Sequence, residues 1–399
     1  MEIIKRIDPS FFVDYVVEFS HFPTCNTIAV SAFNVVIDNI IKLNDNIISE
    51  IISYKSQHEI FRKILDELKK EEDIEISISD KNLMNFLIKF FERYVEERRF
   101  GGNAYYGYTI LRHIFDETYL YTRGRYFKEI SRIPKELLRN NIVFEYTKGL
   151  KIEEKTLSED SRLIISDRSI HVDTWINKEN FSKESSKKAE FYFLAGYHHI
   201  KNENDLIRSK NALMSLDGFK HVELSEFTNT SMREKVVRNL FRYVNSLSMN
   251  DIEARNVFSE NPLNIKQFSS KIVKTISEDV IVFVHSKKYM IAYLPKQKSL
   301  RYSGIFDSMM FAQKIGLIKS LYDNNLENPS KFWKMDLYDV SYHILPIPLG
   351  YGVYETSYHS VYLVPTILVD VKRHIVGLGD VISASFASYL FCENKDVLF

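Results

Sequence analysis

The sequence predicts an α/β fold, with a central and mostly parallel sheet flanked by helices and joined to a smaller β-rich part. Three observations predict it. Runs of β-branched and aromatic residues at 27–33, 190–196 and 280–285 read as buried strands. Between such runs lie stretches with apolar residues at helical spacing. From 114 to 190 the alternation stops, and short strand-like runs follow one another without clear helices, as in a small inserted cap.

Composition bounds the function. The 399 residues carry 53 Lys+Arg against 53 Asp+Glu, so no global basic field points to nucleic acid or an anionic membrane. An apolar fraction of 45% and a charged fraction of 27% fit a globular protein with one large or two ordinary domains. No apolar run is long enough to span a bilayer, and Asp8 and Asp14 make the N-terminus unlike a signal peptide, so a cytoplasmic location is expected. The two cysteines, Cys25 and Cys392, have no metal-ligand spacing and are too few for a disulfide framework.

In chain order, a helix is expected around 11–19, then the strand 27–33. That strand delivers Asn34 and, shortly after, Asp38, as open α/β sheets deliver polar groups to a crevice; a polar turn with Asp38 on a solvent face is the alternative. Helical periods cover 47–70 and 81–97. Gly101 and Gly102 precede Asn103 and Ala104 at the start of a helix over 105–113. A glycine pair there permits close approach of a ligand, or is a plain turn. Arg123, Arg125 and Lys128 could meet a phosphate or form a solvated basic turn.

After the β-rich stretch, the strand 219–224 puts His221 and Glu223 on one face. Asn250 and Glu253 are three apart at a helix start, which is also an ordinary capping spacing. Further strands are expected at 280–285 and 289–295, a helix at 305–319, and a polar loop at 322–335. Near the C-terminus, β-branched runs lead into Gly377, Leu378, Gly379 and Asp380 and then a small-residue helix. The unpaired N–H groups that open such a helix hold an anion. A carboxylate is unexpected beside an anion unless it caps the helix or acts as a base on an attacking hydroxyl.

Taken together and in this order, the Asn34/Asp38 pair, the glycine pair, His221-x-Glu223, Asn250-x-x-Glu253 and the terminal GxGD resemble the ADP-dependent sugar kinases of the ribokinase-like superfamily. That group includes archaeal glucokinases, phosphofructokinases and a ribose-1-phosphate kinase of carbohydrate metabolism. The resemblance spans about residues 28 to 387. It implies a ribokinase-like fold, with a large nucleotide-binding domain of 1–33, 51–113 and 190–399 and lid segments at 34–50 and 114–189.

It also implies that Asp380 deprotonates the sugar hydroxyl while the amides of Gly377, Leu378 and Gly379 receive the transferred phosphoryl. Glu223, Asn250 and Glu253 would hold Mg²⁺ directly or through its waters. Asn34, Asp38, Gly102 and Asn103 would meet the sugar. The nucleotide base would lie near Val364, Pro365 and the 344–352 loop. The implied partners are ADP and a sugar or sugar phosphate. A non-catalytic relative, or an ATP-dependent kinase of the same superfamily, remains as an alternative. The departures sit at the sugar end: Val36 replaces an Asn, Asn103 replaces a Gln, and Ile375, preceded by His374, stands where a Thr is usual.

Overall fold

The computed structural model describes residues 2–70, 74–135, 138–158, 161–169, 171–176, 188–227, 229–299, 304–322, 326–333, 341–369 and 377–398. His374, Ile375, Ile170, much of the expected 322–335 loop and the end of the run before the GxGD turn lie outside them. The chain forms two units. Unit 1 is Met1–Asn34, Asn103–Arg132 and Val172–Phe399; unit 2 is Val35–Gly102 and Ile133–His171.

Among the described residues, unit 1 is built on an eleven-stranded sheet. Its centre is six parallel strands in the order Ile281–His285, Ser246–Asn250, Phe219–Glu223, Phe191–Ala195, Cys25–Phe33 and Phe115–Thr122. Antiparallel strands extend both sides, ending at Glu2–Arg6 and Arg125–Phe127. The central strands are buried along almost their whole length, which is why they read as continuous apolar runs rather than alternating ones.

Helix Leu378–Leu398 packs on helices Asn103–Ile114 and Ile305–Leu321 and on the sheet. Its small buried residues, Ala384, Ser385, Ala387 and Ser388, permit the close approach, and Phe386 stacks on Phe283 with centroids 4.1 Å apart. Helix Ile305–Leu321 is buried around nearly its whole circumference, its polar Gln313, Lys314 and Lys319 included.

One expectation fails here: Cys25 and Cys392 form a disulfide, with Cα atoms 5.6 Å apart across 367 residues of sequence. Cys25 opens the strand Cys25–Phe33 and Cys392 lies in the C-terminal helix, so their meeting depends on the packing of the whole unit.

Unit 2 has a five-stranded sheet in the order Ile74–Ile78, Ser161–Asp167, Arg139–Tyr146, Val36–Lys42 and Glu97–Gly101. Helices Asp45–Tyr54, Glu59–Leu68 and Lys81–Phe91 cover one face, burying Ile41, Phe61, Leu65, Phe91, Ile142, Phe144 and Ile165. Asn44 and Asp80 cap two of these helices through bonds to their first-turn N–H groups.

The expected domain boundaries shift accordingly. Residues 51–102 lie in unit 2, not in the larger unit, because helical periodicity marks a helix without saying which sheet it covers. Residues 114–132 lie in unit 1, because strand Phe115–Thr122 pairs with Cys25–Phe33. The smaller unit is therefore helix-backed rather than purely β.

Candidate active site

In unit 1, the polar residues singled out in the sequence gather at the C-terminal ends of the parallel strands, where open α/β sheets bind ligands. Asn34 follows Cys25–Phe33, Glu223 ends Phe219–Glu223, Asn250 ends Ser246–Asn250, and His285 ends Ile281–His285. Two helix starts complete the set: Asn103 opens Asn103–Ile114, and Leu378–Leu398 begins within the GxGD turn.

A chain of hydrogen bonds links three of them. Asn34 Nδ2 donates to Asn103 Oδ1 at 2.8 Å. Asn103 Nδ2 donates to Asp380 Oδ1 at 2.5 Å and to Ser225 Oγ at 3.1 Å. Asn103 therefore orients the Asp380 carboxylate directly, beyond the role at the sugar that the resemblance implies. The turn before Asp380 requires glycine twice. Gly377 has φ +70°, and a Cβ there would lie 2.2 Å from the Tyr106 ring. A Cβ on Gly379 would lie 2.8 Å from His285 Cε1.

Glu223 and Glu253 form the acidic side of the site. Burial, joined by the carboxylates of Glu223, Asp380 and Glu226, pushes the Glu253 pKa well above its ordinary value, against the pull of the Asn250 N–H. Glu253 Oε2 accepts that N–H at 2.8 Å, and Asn250 Oδ1 accepts the N–H groups of Ile252 and Glu253. This is a complete capping box, so the Asn250 oxygen is already committed to the helix.

Glu223 is 4% exposed; its Oε1 lies 3.5 Å from His285 Nε2, and its Oε2 has no hydrogen-bond partner. Ser248 Oγ, on the adjacent strand, has none either. Crowded carboxylates beside an orphaned buried oxygen suit a small hard cation. Among the described residues no three His, Cys, Asp or Glu side chains converge as metal ligands.

His221 shares a strand face with Glu223, but it is fully buried. It bonds Ser246 Oγ through Nδ1 at 3.0 Å and Ser383 Oγ through Nε2 at 2.8 Å, tying the sheet to the C-terminal helix. Burial, with His285 nearby, lowers its pKa to about 3, so it is neutral. Of the basic trio at 123–128, Arg125 lies in a short edge strand, and exposed Lys128 pairs with Glu117 at 3.5 Å.

Asp38 and Gly102 lie in unit 2. Asp38 sits within strand Val36–Lys42, not at the crevice end of the strand before it, and faces away from the helix-covered side. Arg99 and Asn141 stand opposite it on the two neighbouring strands. Asn141 Nδ2 donates to Asp38 Oδ1 at 3.1 Å. Burial raises the Asp38 pKa against the pull of Arg99, Asn141, Arg162 and Arg139. A Cβ on Gly101 would lie 1.9 Å from Asp38 Oδ2, so glycine leaves the carboxylate its room, and Gly102 has φ +89°. Sequence reasoning missed these arginines, as it missed His285 and Ser225. The one available signal was strand alternation placing polar residues opposite apolar ones at 139–145 and 161–167.

The family model for the ADP-specific phosphofructokinase/glucokinase conserved region matches residues 110–389. An ADP-dependent glucose/glucosamine kinase of Pyrococcus abyssi is 23% identical, over 61% of this chain and 59% of that kinase. An ADP-specific phosphofructokinase of Pyrococcus horikoshii is 23% identical, over 90% of this chain and 97% of the relative. A solved ADP-dependent kinase in complex with fructose-6-phosphate and ADPβS shares the fold, with a TM-score of 0.73 at 17% identity, covering 97% of this chain and 98% of that one.

Proposed function

The chain belongs to the ADP-specific phosphofructokinase/glucokinase family, and on that premise we infer that it transfers the β-phosphoryl group of ADP to a hydroxyl of a phosphorylated sugar, leaving AMP. The observation that carries the reading is the bond from Asn103 to Asp380 at the mouth of the Gly377–Asp380 turn. It fixes the orientation of the carboxylate that this reading makes the base.

In the proposed reaction Asp380 takes the hydroxyl proton as the oxygen attacks the phosphorus. The first N–H groups of the helix beginning at Leu378 meet the charge on the phosphoryl oxygens. Asn34 acts through Asn103, holding its amide so that the N–H end faces the carboxylate. Mg²⁺, where bound, would be held by Glu223 and Glu253, largely through water, and would neutralise phosphate charge. The committed Asn250 oxygen supports Glu253 rather than a metal.

The phosphofructokinase of Pyrococcus horikoshii, matched over 90% of this chain, favours a phosphorylated acceptor. The related kinase solved with fructose-6-phosphate points the same way. Purified protein given ADP, fructose 6-phosphate and Mg²⁺ is expected to release AMP, to stop on chelation and to resume when Mg²⁺ is restored. AMP release that is indifferent to chelation would remove the metal from this account, and no AMP would remove the donor.

A further inference from the structure

Four fully buried residues lie side by side across neighbouring parallel strands: Ser31, Phe193, His221 and Ser246. The strand register sets each beside the next, so all four point to one face of the sheet. Three of them are polar, in a layer that is otherwise apolar.

The row fastens two helices near their starts. Ser31 Oγ donates to the carbonyl oxygen of Ala104 at 2.6 Å, one residue after Asn103. A hydrogen bond of 2.8 Å joins His221 Nε2 to Ser383 Oγ, three residues after Asp380. The other imidazole nitrogen, Nδ1, is held by Ser246 Oγ at 3.0 Å. Between Ser31 and His221, the Phe193 ring stacks on the imidazole with centroids 5.5 Å apart. A Cβ on Gly107, in helix Asn103–Ile114, would lie 2.4 Å from that ring. The two helices fastened in this way carry Asn103 and Asp380, which bond each other in the site.

Apolar contacts would bury this face as well, but they leave a helix free to slide by fractions of an ångström. Hydrogen bonds fix length and angle, and a fully bonded polar row specifies one arrangement. Ser383 and Asp380 are three apart on one helical turn, so a displaced Ser383 carries Asp380 with it. The same chemistry recurs in unit 1 without this connection. Ser269 Oγ bonds His359 Nδ1 at 2.7 Å and Thr356 Oγ1 at 2.9 Å, on helix Ile265–Thr275, which carries no residue of the site.

We propose that His221 is a positioning residue for phosphoryl transfer, acting through Ser383 to hold Asp380 in its place beside Asn103. The proposal rests on the reading of Asp380 as the base. Without the bond, the first turn of helix Leu378–Leu398 would shift against the sheet, and small misplacements of a base are expensive in rate.

The test compares His221→Leu, His221→Gln, Ser383→Ala and Ser269→Ala with the unaltered protein. It reads kcat, acceptor KM, calorimetric affinity for ADP, melting temperature and hydrogen exchange of the backbone amides at 378–383. His221→Leu and Ser383→Ala are each expected to lose about tenfold in kcat, with KM and ADP affinity within about twofold, and to exchange faster at 378–383. The two changes together should cost no more than one, because they cut the same bond. In His221→Gln the side-chain amide can take the place of Nε2 and should recover most of the loss. Ser269→Ala should lower the melting temperature yet leave kcat and exchange at 378–383 unchanged.

Unchanged kcat in both His221→Leu and Ser383→Ala would overturn the proposal. So would losses that multiply in the double variant, or an equal loss of kcat in Ser269→Ala, which marks general damage. Should His221→Leu fail to fold, Ser383→Ala cuts the same bond and decides alone. If the unaltered protein turns over no acceptor, the reading of the site as a kinase fails. Exchange at 378–383 then still decides whether His221 holds the turn, since equal rates in Ser383→Ala and the unaltered protein would deny it.

Discussion

The two units hold their buried carboxylates in different company. In unit 1, burial, joined by the carboxylates of Glu223, Asp380 and Glu226, raises the Glu253 pKa well above its ordinary value. In unit 2, Asp38 stands among Arg99, Arg139 and Arg162, and these arginines also serve Glu145, 3.5 Å from Arg99, and Glu75, which feels Arg139. Buried carboxylates at strand ends suit a hard cation, whereas carboxylates interleaved with guanidinium groups are neutralised in place. The difference separates a cluster suited to chemistry from an ion-pair network that holds a sheet together.

The comparison can be broken first on its acidic side. Asp380→Asn keeps the shape and the Asn103 contact but removes the base, and kcat is expected to fall by about a thousandfold. ADP affinity, measured by calorimetry, should stay within about threefold, since the turn amides remain. Turnover that survives the substitution would mean that Asp380 merely caps its helix.

Acid titration would sharpen the comparison only once the stability background is known. His359 is fully buried, bonded through Nδ1 to Ser269 Oγ at 2.7 Å, and its pKa is lowered from 6.5 to about 4 by burial. Between these values the unfolded chain binds the proton and the folded one does not. Stability present above pH 6.5 is therefore lost as the pH falls toward 4, by roughly 3 kcal/mol. His359→Gln should flatten the slope of melting temperature over that interval. An unchanged slope would assign acid sensitivity to other groups.

The smallest expected effect lies on the basic side. Arg99→Gln should lower stability by about 1–2 kcal/mol, read as a lower melting temperature, because the buried Asp38 loses a cationic neighbour. An unchanged melting temperature would show that the remaining arginines suffice for Asp38.

The two sides also differed in how far the sequence revealed them. The unit 1 residues were legible because they fall at the ends of buried strands and at glycine-marked helix starts, which periodicity and turn chemistry locate. Asn250 and Glu253 carried two meanings at one spacing, and the structure shows the capping box complete. The unit 2 face was not legible. Arg99, Arg139 and Arg162 come from three different strands, and only the sheet register brings them around Asp38. The helical periods at 47–70 and 81–97 match helices of unit 2, yet they name no sheet to cover, and the strands Ile74–Ile78 and Glu97–Gly101 beside them escape the sequence. The Cys25–Cys392 bond was hidden for the same reason, since the packing of the whole unit sets it.

The most direct test of the account is a competition for phosphoryl transfer. The protein would be given ADP and Mg²⁺ with equal fructose 6-phosphate and glucose, and AMP and both sugar products would be quantified. The account predicts AMP matched by fructose bisphosphate, with little glucose phosphate. Phosphorylation of glucose in preference to the sugar phosphate would contradict it, and so would transfer from ATP but not from ADP.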